Sequence, residues 1–297
     1  MKEKNWIEVR VLVPARMQEE ASVYLTEFSG RGVILEEEPG GEGVVIRAFF
    51  RAEDFGPWQR GELQRYLGRL SDHDLYPLGY EVRRAGEEDW AEAWKEHFKP
   101  LKVTSRLVIR PPWEEYRPGP EELVLTVYPG MAFGTGRHPT TLLCLEALEQ
   151  IWDDLAPALP PGDWQVLDVG TGTGILALAA ARLGARVLAI DIDPEAVAAA
   201  QENVRLNALE EAVWVEATPL SALRQQFALI LANLTAADLL QWSDSLAARL
   251  QSGGLLIISG FLSQDRPRVA ARFLAHGLTE TGHLAQEEWS ALIFRRP

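Results

Sequence analysis

The chain has few of the residues that build disulfides and metal sites. Its 297 residues contain a single cysteine, Cys144, which excludes an intrachain disulfide and a cysteine-rich zinc site. The five histidines show no metal-binding spacing such as HExxH, so we expect no metal site. Cys144 lies in a helix-like stretch, TLLCLEAL, where a small buried apolar side chain is a better interpretation than a nucleophile.

Long apolar runs are also absent. No run reaches the roughly 18 residues that a membrane helix requires. The N-terminal stretch MKEKNWIEVRVLVP mixes charges with apolar residues, unlike the continuous apolar block of a signal peptide. We therefore expect a cytoplasmic protein that has no membrane partner.

Positive charge is scarce relative to negative charge. The chain has 29 Lys and Arg against 43 Asp and Glu, a net charge of −14. Such a surface repels phosphates and attracts basic partners, although simple solubility explains the charge equally well. The sign favours a basic protein substrate and argues against direct readout of nucleic acid.

Strand-like and helix-like stretches alternate over the first 85 residues. The apparent strands are WIEVRVLVP (6–14), GVILEEE (32–38), GVVIRAFF (43–50) and LGYEVRRA (78–85), and the apparent helices are 17–30 and 58–70. This βαββαβ order is typical of the ferredoxin-like arrangement. Because the region has no obvious catalytic cluster, we expect residues 1–86 to form a smaller N-terminal α+β, ferredoxin-like recognition domain.

Residues 87–100, EEDWAEAWKEHFKP, predict a linker helix because aromatic residues recur every four positions. Residues 101–297 then predict a second domain. From residue 138 onward, short apolar strands alternate with helices, and a strand pair ends the chain. This alternation is typical of an α/β, doubly wound, mostly parallel sheet covered on both faces.

The stretch LDVGTGTG (167–174) leads from a buried strand through three glycines into a helix. Dinucleotide enzymes use GxGxxG at such a turn, but Ile175 stands where their third glycine belongs. Asp168 lies two residues before Gly170, and a carboxylate there suits the ammonium of S-adenosylmethionine better than a pyrophosphate. The motif, with Gly172 at its centre, therefore favours a methyltransferase over a dinucleotide-binding enzyme.

Two further polar residues follow strands of this sheet. Asp191 lies 21 residues after Gly170, where a carboxylate can accept both ribose hydroxyls. A helix N-cap is the alternative role, but Asp193, just before Pro194, suits it better. Asn233 follows another strand and lacks the two prolines and the aromatic residue of NPPY-like motifs, which favours an aliphatic amine over a planar base or amide.

A glycine-rich stretch, PGMAFGTGRHPTT (129–141), precedes the first strand of the sheet. It could fold over the cofactor site, and a hydroxyl of Thr140 or Thr141, which open the next helix, could bond the cofactor. A plain turn with a helix N-cap is an equally good interpretation from the residues alone. We interpret His138 as an exposed loop histidine rather than a base.

These motifs, together with EEDWAEAWKEHFKP, IDIDPEAV and the final EEWSALIFRR, resemble the ribosomal protein L11 methyltransferase family over nearly the whole chain. The resemblance implies a class I methyltransferase domain in which Thr141, Gly170, Asp191 and Asn233 contact S-adenosylmethionine. It also implies methylation of lysine side chains and the N-terminal amine of ribosomal protein L11. Thr171 and Thr173 depart from the Cys or Ser that is frequent in the family.

We expect Thr135, Asp168 and Gly172 to complete the cofactor set and Asn233 to be the catalytic residue, in a monomeric protein. Three alternatives remain open from the sequence. These are a lysine methyltransferase of another protein, a non-catalytic adenosine-binding protein, and a dehydrogenase.

Overall fold

The computed structural model describes residues 6–14, 17–29, 33–37, 43–72, 80–85, 98–128, 136, 138–155 and 165–297. The chain separates into two compact units, Met1–Phe98 and Lys99–Pro297. Most of the predicted linker helix lies outside the described residues. The domain boundaries at 86 and 100 therefore stay a prediction.

The first unit has the predicted βαββαβ order. Its elements are β1 (Trp6–Pro14), α1 (Gln18–Ser29), β2 (Ile34–Glu37), β3 (Gly43–Arg51), α2 (Pro57–Asp72) and β4 (Tyr80–Ala85). The strands form one antiparallel sheet in the order β2-β3-β1-β4, which is the ferredoxin-like topology. Alternate residues of β1, among them Val9 and Val11, are fully buried in one core with Leu25 and Leu63 of the two helices.

The second unit contains a seven-stranded sheet in the order β10-β9-β8-β11-β12-β14-β13. Its strands are β8 (Gln165–Val169), β9 (Arg186–Ile190), β10 (Val213–Glu216), β11 (Phe227–Asn233), β12 (Leu250–Leu262), β13 (Thr279–Gln286) and β14 (Trp289–Arg295). The pairs from β10 to β12 are parallel, and β14 runs antiparallel to both of its neighbours. The predicted C-terminal strand pair therefore lies at one edge of the sheet.

Helices cover both faces of this sheet, as the continuous apolar strands predict. One core contains residues of α3 (Pro139–Leu155), α4 (Ile175–Arg182) and α5 (Pro194–Leu206). The opposite core contains residues of α6 (Ala236–Arg249) and α7 (Arg266–Ala275). The sequence analysis did not predict α7, whose sequence, RPRVAARFLA, has arginines between its apolar residues.

A small three-stranded sheet packs against the first of these cores. It contains β5 (Leu101–Lys102), β6 (Leu107–Arg110) and β7 (Leu123–Thr126), with β6 and β7 parallel. The strands β6 and β7 coincide with the short apolar stretches LVIR and LVLT, whereas β5 has only two residues. Within the described ranges, no helix is both long and apolar enough to cross a membrane, and no acidic, His or Cys cluster suits a metal ion.

Candidate active site

The carboxyl ends of three neighbouring strands carry most of the predicted site residues. In the sheet register Val169 at the end of β8 pairs with Ile190 of β9 and with Ala232 of β11. Gly170, Asp191 and Asn233 follow these three paired residues directly, so they meet at one edge of the sheet. The strand order reverses between β8 and β11, and such a switch point is where open α/β sheets bind ligands.

The glycine turn at residues 170–174 is held by the backbone. Gly170 N and Thr171 N both donate to Ile190 O, at 2.9 and 3.0 Å, and Gly174 N donates to Thr171 O at 2.8 Å. The glycines at 170, 172 and 174 have φ values of +68°, +56° and +83°, a left-handed conformation that favours glycine. The sequence motif therefore folds into a tight turn that opens directly into α4.

Asp191 connects this turn to the start of α5. One carboxylate oxygen accepts from Gly172 N at 3.0 Å, and the other accepts from Asp193 N at 3.0 Å. Asp193 is the N-cap of α5 and accepts from Glu195 N at 2.9 Å. The capping role predicted for Asp193 is thus confirmed, and Asp191 remains at the edge of the site.

Asp168 lies beneath the turn and is only 1% exposed. Its Oδ2 accepts from Thr171 Oγ1 at 2.6 Å and from Ala177 N at 3.2 Å. One oxygen of the carboxyl group is therefore already hydrogen-bonded within the chain. Burial raises the pKa of Asp168 to about 7, against the lowering effect of these two hydrogen bonds. Cys144 is fully buried nearby, and burial together with the Asp168 charge raises the pKa of its thiol.

Asn233 ends β11 on the other side of β8. Its Nδ2 lies 3.4 Å from Thr141 Oγ1, which brings together two residues that are 92 positions apart in the sequence. Its Oδ1 is buried and has no hydrogen-bond partner among the described residues. An acceptor without a partner is costly to bury, so this oxygen is available to a ligand.

Close backbone packing fixes the segment that carries Asn233. Leu234 N donates to Ser259 O of β12 at 3.0 Å. Gly260 follows with a φ of +94°, and a Cβ at that position would lie 2.3 Å from Leu234 O. Only glycine lets the two chain segments approach this closely.

The start of α3 brings Thr141 and His138 to the same region. Thr141 is fully buried, and its N–H donates to His138 O at 3.0 Å. His138 Nδ1 lies 2.8 Å from Thr140 Oγ1, and its ring packs edge-on against Trp289 with 4.9 Å between centroids. His138 is half-buried rather than an exposed loop histidine, and this burial lowers its pKa. Thr135 lies outside the described residues.

The sequence analysis missed Ile192, which lies between Asp191 and Asp193. Its side chain is 82% exposed, the largest exposure of any large apolar residue in the described part of the chain. An isoleucine between two aspartates directly after a strand is a signal that could have found it. It gives the site an apolar surface beside the Asp191 carboxylate.

A family model described as "Ribosomal protein L11 methyltransferase (PrmA)" matches residues 5–297. The chain belongs to the ribosomal protein L11 methyltransferase family. A ribosomal protein L11 methyltransferase of Pelobacter propionicus is 42% identical over 308 residues, with 98% of each chain covered. Another of that name, from Geobacter metallireducens, is 40% identical over 306 residues, with 99% of each covered.

A solved structure of a ribosomal protein L11 methylase from Lactobacillus delbrueckii subsp. bulgaricus is 32% identical to the chain. It aligns with a TM-score of 0.60 and covers 67% of this chain and all of its own. Membership of the ribosomal protein L11 methyltransferase family confirms the predicted class I methyltransferase fold and identifies the chain as a methyltransferase. A dehydrogenase, one of the three alternatives, is thereby excluded.

Proposed function

We propose that this chain transfers methyl groups from S-adenosylmethionine to lysine side-chain and N-terminal amines of ribosomal protein L11. The observation that carries the proposal is the buried, unpartnered Oδ1 of Asn233 at the sheet edge that also bears the glycine turn and Asp191. The names of the relatives supply the protein substrate.

The residues at this edge fit S-adenosylmethionine. Each oxygen of Asp191 accepts one hydrogen bond from the chain and keeps further acceptor capacity for the ribose hydroxyls. The exposed Ile192 offers an apolar face to the adenine. At Gly170 a Cβ would lie 2.5 Å from Leu234 Cδ2, so only glycine lets the turn pack this closely against the segment that carries Asn233.

The remaining residues of the proposed cofactor set surround the turn. Thr141 contacts Asn233 through its hydroxyl and would bond the cofactor from the start of α3. We assign Asp168 to the ammonium end of the cofactor through its Oδ1. Thr135 is included on the family resemblance alone.

The site must hold the substrate amine in its neutral form, since only an unprotonated nitrogen has a free lone pair. Lysine has an ordinary pKa near 10.4, and burial in the site favours its neutral form. The cofactor supplies an electrophilic methyl group when it is bound. Asn233 Oδ1 then accepts a hydrogen bond from the amine N–H and orients the nitrogen, so that positioning provides much of the acceleration.

The ferredoxin-like unit, proposed to span residues 1–86, would recognise the protein substrate, with 87–100 as the linker helix and 101–297 as the catalytic domain. The net charge of −14 suits a basic ribosomal protein. A ribosomal substrate would place the reaction in the cytoplasm. The enzyme is proposed to act as a monomer, without a membrane partner or direct contacts to nucleic acid bases.

The test is mass spectrometry of purified ribosomal protein L11 after incubation with the enzyme and S-adenosylmethionine. We expect the mass to increase by one CH₂ for each methyl group that is transferred to a lysine or N-terminal amine. A parallel incubation with a cell lysate and radiolabelled cofactor tests for other substrates. Label on another protein with none on L11 would reject the substrate, and no label on any protein would reject methyl transfer.

A further inference from the structure

Asn203 was not among the predicted site residues, yet its side chain joins two distant backbone segments. It lies on α5 and is 1% exposed. Its Nδ2 donates to Thr173 O at 2.8 Å, and its Oδ1 accepts from Tyr128 N at 2.8 Å. One buried amide therefore links the glycine turn to the backbone of Tyr128, two residues after the end of β7.

The bond to Thr173 fixes the plane of the peptide between Thr173 and Gly174. Gly174 has a φ of +83°, and its N–H donates to Thr171 O at 2.8 Å. Because glycine adopts positive and negative φ about equally well, this peptide plane has little intrinsic preference. Rotating it would break the hydrogen bond between the Thr173 carbonyl and the buried Asn203 amide, which is unfavourable.

Asn207 is the C-cap of α5, four residues after Asn203, and makes a comparable set of bonds. It is 4% exposed; its Oδ1 accepts from Thr126 N at 2.9 Å, and its Nδ2 donates to Thr126 O at 2.6 Å. None of the hydrogen bonds of its side chain reaches the glycine turn. Asn203 and Asn207 thus form a matched pair with similar burial and similar bonds to the β7 region, of which only Asn203 contacts the turn.

We propose that Asn203 is a positioning residue for cofactor binding, which holds the Thr173–Gly174 peptide of the glycine turn in its binding orientation against the backbone of Tyr128. This inference rests on the proposed use of S-adenosylmethionine. Asn207 stabilises the same helix and strand without influencing the cofactor.

The first experiment compares Asn203→Leu with Asn207→Leu by titration calorimetry with S-adenosylhomocysteine. Both variants lose buried hydrogen bonds and should melt at a lower temperature than the wild type. We expect the dissociation constant to rise about tenfold in the Asn203 variant, because the turn is no longer held before binding. In the Asn207 variant the dissociation constant should stay within about twofold of the wild-type value, a change smaller than the loss of one hydrogen bond would cause.

The second experiment uses Asn203→Asp, because a carboxyl group matches the shape of the amide. Its ionised form still accepts from Tyr128 N but has no proton to donate to Thr173 O. Its protonated form regains that donor, so lowering the pH should restore binding. We expect the ratio of variant to wild-type dissociation constants to fall from about tenfold near pH 8.5 to about threefold or less near pH 6.

A merely structural role would not produce this pH-dependent ratio, and the ratio for Asn207→Asp should be near one at both pH values. Circular dichroism establishes which variants fold. If Asn203→Leu does not fold, the pH series with Asn203→Asp tests the inference instead. Equal affinities in folded Asn203 variants and the wild type, or equal losses at the two asparagines, would overturn the inference. Wild-type protein that does not bind S-adenosylhomocysteine would instead overturn the proposed function.

Discussion

The two sides of the candidate site differ in how far the chain satisfies its own polar groups. On the glycine-turn side, the oxygens of Asp191 and the Oδ2 of Asp168 accept hydrogen bonds from the turn and its neighbours. On the other side, Asn233 keeps a buried acceptor that has no partner within the described residues. The first side is organised before a ligand arrives, whereas the second retains an acceptor whose burial alone costs about 1–3 kcal/mol.

This difference suggests that the two sides of the site have different roles. A site that holds a cofactor gains from a rigid frame, since less has to be ordered on binding. A group that orients the reacting atom must instead leave its hydrogen-bonding capacity unused until the substrate enters. Changes on the turn side should therefore act on cofactor affinity, and changes on the Asn233 side should act on turnover.

The largest effect is expected from Gly260→Ala, which disturbs the Asn233 side through the backbone. The new Cβ would lie 2.3 Å from Leu234 O and must displace the segment after Asn233. We expect turnover to fall at least about 100-fold, since misplacement by about 1 Å has that effect. Gly253→Ala is the control, because Gly253 also has a positive φ, +76°, but has no atom within 4 Å of the added Cβ.

Both glycine variants should lose about 1–3 kcal/mol of stability from the left-handed backbone. Thermal denaturation and methyl-transfer assays on the two proteins separate the shared strain from the collision. Similar turnover in the two variants would show that the contact between Gly260 and Leu234 does not position Asn233.

Asn233→Ala should lower turnover about 100-fold, a loss comparable to that of one positioned hydrogen-bonding group elsewhere. The dissociation constant for S-adenosylhomocysteine should change by less than about threefold, which is under the worth of one typical hydrogen bond. Thr235→Ala is the control on the same segment, because the Thr235 hydroxyl caps α6 through Asp238: it accepts from Asp238 N at 3.2 Å and donates to Asp238 Oδ2 at 2.6 Å. A variant of Asn233 that loses affinity and keeps its turnover would reverse the assignment of the two sides.

Asp191→Asn should weaken cofactor binding by about 10- to 100-fold, because hydrogen bonds to a charged acceptor contribute about 1.5–3 kcal/mol. Turnover at saturating cofactor should change much less. Asp193→Asn makes the matched control, since Asn caps a helix as well as Asp does. Calorimetry that finds both variants equally weak would place the ribose contact elsewhere.

The smallest effect concerns the pH dependence of stability. Because burial raises the pKa of Asp168 from 3.8 to about 7, the folded chain keeps a proton that the unfolded chain loses near pH 4. The contribution of Asp168 to stability is therefore complete below about pH 4 and is lost as the pH rises toward 7. Relative to Asp168→Asn, the wild-type melting temperature should fall by several degrees over this range and run parallel above it.

Thermal melts of the two proteins at intervals from about pH 4.5 to 8 measure this difference, since all other carboxylates are shared. Curves that stay parallel throughout would mean that Asp168 ionises in the folded chain as an ordinary carboxyl. The hydrogen bonds that Asp168 accepts would then offset the cost of burying its carboxylate.

The sequence predicted those parts of the site that local pattern determines. Strands followed by glycine or a polar residue are recognisable one at a time, and the parallel order brings their carboxyl ends together. Gly170, Asp191 and Asn233 were therefore found as a group, and Asp193 was correctly separated from Asp191 as the helix cap. The two-domain βαββαβ and doubly wound architecture followed from the same periodicities.

The remaining features depend on contacts between distant residues. Asn203 bonds to Tyr128, which is 75 positions away, and no local pattern marks an asparagine on a helix as the partner of a backbone N–H beyond β7. The close approach of Gly260 to Leu234 depends on the register of two strands, which the sequence does not specify residue by residue. The hydrogen bonds of Asp168 within the folded chain were likewise invisible to motif analysis.

The solitary thiol of Cys144 has a practical consequence for studying the enzyme. It is fully buried in α3, and burial suppresses the thiolate that reacts with maleimides. A cysteine introduced at an exposed position such as Ser252 would therefore take up a fluorescent dye alone, without removal of the native one. Site-specific labelling can thus report on this chain while its interior stays unaltered.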